Sequence, residues 1–341
     1  MGRPEMRGLR PGKLPPEILG HLLAKLKRGD PRVLVGPRVG VDAAVIDFGH
    51  INLIAKSDPV TLASDLVGWY AVQVNANDVA ATGGTPRWFL ATVLLPDGSA
   101  PRLAEQIFDQ IQEAAETLDV ALVGGHTEVT IGIDHPIVCG TMLGEVAPGG
   151  VMTSSEARPG DHVVLTKGIA IEGTAVLARE RPGRLAAAGV PRETLDRAAR
   201  FLQDPGISIV PDARAALAAG GVHAMHDPTE GGLATALAEL ASASGNGLRI
   251  DSAAVNVYPE TLEVCRALGV DPWGLIASGA LLISVAPESA AAVTASLRAA
   301  GVPAADIGLM TGEKGRLELV KDSATEPLPA FDRDEVARVL E

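Results

Sequence analysis

The chain has 341 residues, 47% of them hydrophobic and 21% charged, with a formal net charge of −13. That length points to about two domains, and the composition excludes a disordered chain. The acidic balance excludes a basic footprint for nucleic acid or for an anionic membrane surface, and no run of about 18 apolar residues marks a membrane span.

Residues 1–30 read as an N-terminal arm followed by a short amphipathic helix in "LPPEILGHLLAKLKRG", with a proline near its start and Gly29 at its end. The arm is basic but has no apolar signal core, so the chain is expected to be cytoplasmic. Residues 31–150 read as the first domain. Its expected strands are "RVLVGP", "VDAAVIDFG" and "INLIAKSDPVT", followed by a helix over 65–82 that stops at Gly83 and Gly84. "RWFLATVLLP" is a strand, "SAPRLAEQIFDQIQEAAETLD" a helix with apolar residues at helical spacing, and "VALVGGHTEVT" and "HPIVCGTMLGEV" two more strands. The composition breaks at "APGGVMTSSEARPGD", and residues 156–341 read as a second domain of strands and helices. In it, "VHAMHDPTEGGLATALAELASAS" runs strand, polar turn, helix. Cys139 and Cys265 both lie in apolar patterns and read as buried, inert thiols.

The stretch "VQVNANDVAATGG", residues 72–84, has the grain of a buried helix yet carries Asn75, Asn77 and Asp78. A buried carboxylate without a partner is very unfavourable, so Asp78 must find one outside this stretch. Asn75, Asp78 and Thr82 fall three and four residues apart and so share one helix face. Several familiar chemistries are missing. Lys56-Ser57 follows Ala55 where a phosphate-binding loop needs glycine, and neither a dinucleotide-binding glycine fingerprint nor a nucleophile elbow occurs. The pairs His223/His226 and His126/His135 lack zinc-helix spacing and read as loop or core imidazoles. What remains is a series of aspartates at strand ends and helix starts: Asp42, Asp58, Asp78 and Asp227. Singly, each reads as a cap or turn residue. Together they make a hard-oxygen cage suited to Mg²⁺ and substrate phosphates.

Seven segments occur in one order over nearly the whole chain: "GVDAAVI", "SDPVT", "VNANDVAATGGTP", "GGHTEVT", "RPGDHVVLTKGIAIEGTAVLA", "HDPTEGGLATALAEL" and "LGVDPWGLIASGALLISV". This series resembles the aminoimidazole ribonucleotide synthase-related (PurM-like) superfamily, and its last two segments are most similar to the hydrogenase-maturation (HypE) branch. The resemblance implies a two-domain α+β fold in which N-terminal strands form a barrel across a homodimer and a C-terminal α+β domain covers it. It implies ATP in a cleft between the domains, with Mg²⁺ held by Asp42, Asp58, Asp78 and Asp227. Asn75 would orient ligands, a Gly124–Gly125 turn would let the backbone approach the nucleotide, and Gly168 and Glu172 would flank the cleft. Asp78, Asp227 and His126 are the candidate catalytic residues.

The pattern is not matched everywhere. His126 stands in "GGHT" where relatives carry an acid, with Glu128 nearby, and could bond a phosphate, give a proton or cap the turn. Glu230 stands where the HypE pattern has arginine. The chain ends "DEVARVLE" rather than in HypE's cysteine tail, so dehydration of a carbamoyl group on its own tail is not expected. The arm has Lys13 but no cysteine, so selenophosphate synthesis is not expected either. The resulting expectation is an ATP- and Mg²⁺-dependent enzyme that phosphorylates an amide, acyl or related oxygen of a small-molecule or protein acceptor. The alternative is a dimeric nucleotide-binding maturation or scaffold protein with little turnover.

Overall fold

Two mixed sheets share the chain, one on each side of the composition break near residue 150. The computed structural model describes residues 14, 16–26, 29–61 and 63–341. The expected N-terminal arm and Lys13 lie outside the described residues. After α1 (Pro16–Leu23), the first half runs β1 (Val33–Val35), β2 (Ala44–Asp47), β3 (Asn52–Val60), α2 (Val67–Ala81), β4 (Thr85–Pro96), α3 (Pro101–Thr117), β5 (Ala121–Thr130) and β6 (Ile137–Val146). Its sheet has the order β1-β2-β3-β6-β4-β5, antiparallel except where β4 meets β5. β1 and β5 are its two edges, and no barrel closes within the described residues.

The second half contains β7 (His162–Thr166), α4 (Ile171–Glu180), α5 (Pro182–Ala187), α6 (Arg192–Ala199), α7 (Val210–Ala219), β8 (Val222–His226), α8 (Gly232–Ser244) and β9 (Gly247–Asp251). It continues through α9 (Pro259–Leu268), β10 (Leu282–Val285), α10 (Ala290–Ala299), β11 (Ala304–Thr311), β12 (Leu317–Lys321), β13 (Ala324–Pro327) and α11 (Glu335–Leu340). The seven strands are ordered β13-β12-β9-β11-β7-β10-β8. β10 is buried along its whole length, and its one polar side chain, Ser284, is satisfied by donating to Asp161 Oδ2 at 2.6 Å.

The helix that matters most for the site is α2. It lies across β3, β6 and β4, α3 covers its other side, and α7 of the second half reaches it. Nearly every residue is buried, so its sequence shows no polar face of the usual kind. Its asparagines answer the backbone instead. Asn77 Nδ2 donates to the Ile207 carbonyl at 2.8 Å, and the Ile209 N–H donates to Asn77 Oδ1 at 2.9 Å. With the Met152 N–H donating to the Thr82 carbonyl at 3.0 Å, these bonds fasten α2 to the second half.

Candidate functional site

On β3, side chains alternate between faces, so Ile54, Lys56, Asp58 and Val60 all turn toward α2. Asn75 fixes the strand there. Its Oδ1 accepts the Asp58 N–H at 2.9 Å, and its Nδ2 donates to the Asp58 and Ala71 carbonyls at 3.2 and 2.8 Å. Its amide is therefore spent on backbone, and it positions Asp58 rather than offering a ligand. Thr82, expected on the same face, donates its hydroxyl to the Asp78 carbonyl at 2.8 Å. Of that polar face, Asp78 alone reaches the site.

One turn further along α2, Asp78 is only 5% exposed. Lys56 Nζ lies 3.3 Å from Asp78 Oδ1 and 3.0 Å from Asp58 Oδ2. Burial raises the Asp78 carboxyl well above the usual carboxylate range, Lys56 opposes the rise, and the nearby charges of Asp227, Asp58 and Asp42 add to it. Burial alone would pull the Lys56 ammonium down, but Asp78 and Asp58 outweigh it and hold it above the ordinary lysine range. One ammonium is thus shared among several acids.

Asp42, in the loop before β2, and Asp227, just after β8, complete the group. Asp42, His226 and Asp227 present ligand atoms that all lie within 4.8 Å of one another. His226 is buried between two carboxylates, with Nδ1 3.2 Å from Asp42 Oδ1 and Nε2 3.1 Å from Glu239 Oε2. Burial pulls the imidazole down, yet Asp42 and Glu239 together raise it well above the usual histidine range. The four aspartates therefore meet at the junction of the two halves, where, with Glu239, five carboxylates face one ammonium and one imidazole. That surplus of negative oxygen fits a divalent cation and, through it, a phosphate chain.

The other sequence candidates lie elsewhere. Gly124, Gly125 and His126 are on the edge strand β5, in the register Asp58–Gly140–Ala91–Gly125. Three strand spacings separate Asp58 from Gly125, about 14 Å. The expected Gly124–Gly125 turn is instead regular strand paired with Leu90 and Ala91 of β4, just after a register shift that leaves Val123 unpaired. Gly125 has φ +148, and a Cβ there would come 2.0 Å from the Ala91 carbonyl oxygen, so β4 dictates the glycine. His126 is exposed and bonds Glu128 at 3.2 Å. Gly168 packs on Asn256 and Tyr258. Glu172, in the first turn of α4, belongs to a second buried acidic group. Burial pushes its carboxyl up to about 7, with Ser278 bonded to it and Asp334 and Glu230 adding like charge.

Sequence reasoning missed Lys56 and treated His226 as an ordinary core imidazole. The adjacency of His226 and Asp227 was the available signal. Of the cysteines, Cys265 is buried, whereas Cys139 is half-buried and so less enclosed than expected. An open cleft of about 350 Å³ beyond the end of α2, lined by Gly83, Gly84, Thr85 and Arg214 among others, includes none of the four aspartates.

Comparison with known proteins gives a consistent result. The family model described as AIR synthase related protein, N-terminal domain, matches residues 40–146, and its C-terminal domain counterpart matches residues 158–320. Carbamoyl dehydratase HypE of Rhizobium leguminosarum bv. viciae is 33% identical over 284 residues, covering 80% of this chain and 77% of the relative. The crystal structure of hydrogenase maturation protein HypE in complex with ATP is similar with a TM-score of 0.72 at 24% identity, covering 94% of this chain and 91% of that one. The HypE-HypF complex gives a TM-score of 0.72 at 23% identity, covering 85% and 93%.

Proposed function

The chain belongs to the AIR synthase related family and stands close to HypE, and from that premise we propose an ATP-dependent enzyme that passes the γ-phosphoryl group to an amide, acyl or related oxygen of an acceptor. ADP leaves, and the phosphorylated oxygen becomes a good leaving group. The observation that carries this reading is the convergence of Asp42, Asp58, Asp78 and Asp227 with Lys56 between β3, α2 and the β8–α8 loop.

Mg²⁺ held by these carboxylates would neutralise charge on the transferring phosphoryl group. The protein's own groups prepare for that. Asn75 fixes Asp58 through the β3 backbone, and Lys56 keeps the two nearest carboxylates from repelling each other. The acceptor sits on a small molecule or on a partner protein.

We also read the protein as a homodimer. β5 is an edge strand whose residues are exposed along nearly its whole length, and Val123, Val129 and the adjoining Ile131 are exposed apolar side chains. An open edge of this kind is a template for another strand. Pairing across it would extend the sheet between two copies, toward a barrel, and put His126 and Glu128 in the interface.

The test is ATP turnover and ATP-induced thermal stabilisation, each with Mg²⁺ and with EDTA. We expect stabilisation by ATP only with Mg²⁺. Asp78→Asn is expected to lose about 10³-fold in turnover, about 4 kcal/mol of barrier. Normal, metal-dependent turnover in that variant would refute the assignment, and slow hydrolysis that no acceptor or partner stimulates would favour a nucleotide-binding scaffold.

A further inference from the structure

One feature of the acidic site is out of keeping with a purely oxygen-lined Mg²⁺ cage. An imidazole stands inside it. Asp42 and Asp227 could ligate a hard cation through oxygen alone, yet the third ligand atom within 4.8 Å of theirs belongs to His226. The histidine side chain is 4% exposed, so it is built into the site rather than resting at its rim.

Its two nitrogens face different neighbours. Nδ1 lies 3.2 Å from Asp42 Oδ1, on the side of the cluster. Nε2 lies 3.1 Å from Glu239 Oε2, a residue of α8 behind the ring. A metal-bound histidine usually gives its remote N–H to a carboxylate, which fixes the tautomer and aims the other nitrogen at the metal. Glu239 stands where that carboxylate belongs. The three ligands come from both halves of the chain, Asp42 from the loop before β2 and the other two from the end of β8.

Mg²⁺ demands oxygen ligands and parts reluctantly with water. Imidazole nitrogen suits first-row transition ions, which also accept carboxylates. We propose that Asp42, His226 and Asp227 form a cation position with one nitrogen ligand, selective for a divalent first-row transition ion such as Mn²⁺ over Mg²⁺. The ion takes the place of the Nδ1 proton, which leaves to solvent, while Nε2–H stays on Glu239. This inference refines the cation site of the proposed function but needs no nucleotide. The competing arrangement keeps His226 protonated as a fixed counter-ion between Asp42 and Glu239, with any metal held by oxygen alone.

The experiment uses the full chain without nucleotide, titrated with Mn²⁺ and followed by electron paramagnetic resonance. Pulsed spectra should show modulation from a directly bound ¹⁴N, replaced by the ¹⁵N pattern when histidine alone is labelled. Competition should show Mn²⁺ binding roughly 30-fold or more tighter than Mg²⁺, a preference that His226→Gln abolishes. Glu239→Ala should weaken Mn²⁺ about 10- to 100-fold while the nitrogen modulation persists. Bound Mn²⁺ without nitrogen modulation in the wild type would overturn the proposal, and so would an unchanged Mn²⁺ preference in folded His226→Gln. If that variant does not fold, the labelled wild-type spectrum decides alone. Failure of the phosphoryl-transfer reading would show separately, as absence of ATP-induced stabilisation with either metal.

Discussion

Lys56 Nζ stands 3.3 Å from Asp78 Oδ1, which joins the inner face of β3 to a helix buried on nearly every side. Lys56→Met keeps much of the side chain's volume and removes its charge, leaving Asp78 beside Asp58, Asp42 and Asp227 with no ammonium among them. Breaking a largely buried pair from one side costs about 3 kcal/mol. That loss should appear in urea unfolding with EDTA present, and millimolar Mg²⁺ should restore part of it by replacing the missing positive charge. A destabilisation that Mg²⁺ leaves untouched would mean that Lys56 acts through packing and not as the counter-ion of the acids.

Asn75 supports the same site from below, through the Asp58 backbone. Asn75→Ala removes the partner of a part-buried N–H and carbonyl on β3, at a cost of about 1 kcal/mol. Asn75→Asp should be worse, because oxygen would then face the Asp58 and Ala71 carbonyls where Nδ2 now donates. Unfolding measurements check the order, and Mg²⁺ titration of Asn75→Ala should show weaker binding because Asp58 is no longer held. Equal stability of the Ala and Asp variants would contradict the bonding assigned to Nδ2.

The legible parts of this site were those with local signals. α2 could be read because Gly83 and Gly84 end it and because Asn75, Asn77 and Asp78 stand out among Val and Ala. The aspartates could be read because acids at strand ends recur through a series of ordered segments. Lys56 could not, since a lysine in a strand looks like a solvated residue until α2 is packed over it. His226 failed for the same reason: Asp42 lies 184 residues away, and Glu239, though 13 residues on, meets the ring only once α8 is placed against β8. The Gly124–Gly125 pair looked like a turn because the close approach of β4 that demands a glycine at Gly125 is set only by the strand pairing. α11 was missed although Asp334, whose side chain accepts the Val336 N–H at 2.7 Å, is a cap signal that could have found it.

The second acidic group should be visible in the pH dependence of stability. Burial pushes Glu172 up to about 7 from an ordinary value of 4.5, and Asp334 up to about 6 from 3.8. Both carboxyls hold protons in the folded state that they lose when unfolded, so the contribution is fully present below about pH 4 and is lost as pH rises toward 7. For Glu172 the loss is on the order of 3 kcal/mol across that window. Urea midpoints measured from pH 5 to 8 should fall with pH in the wild type and fall less in Glu172→Gln, which keeps a neutral group in place. Identical slopes for the two proteins would remove Glu172 as the cause.

The edge strand β5 makes the dimer testable without disturbing the acids. Val123 and Val129 are 53% and 58% exposed, so in a lone chain each meets mainly water. Replacing both with lysine should change the stability of that chain little, since surface substitutions away from special features stay within about 0.5 kcal/mol each. In a dimer paired through β5, the same lysines would be brought into the seam between the two strands, and charge on an edge is a known barrier to strand pairing. Analytical ultracentrifugation at micromolar concentration should therefore show a dimer for the wild type and a monomer for Val123→Lys/Val129→Lys, with similar far-UV spectra. A wild type that sediments as a monomer would remove the dimer from the proposed function. A double variant that stays dimeric would move the interface to another surface.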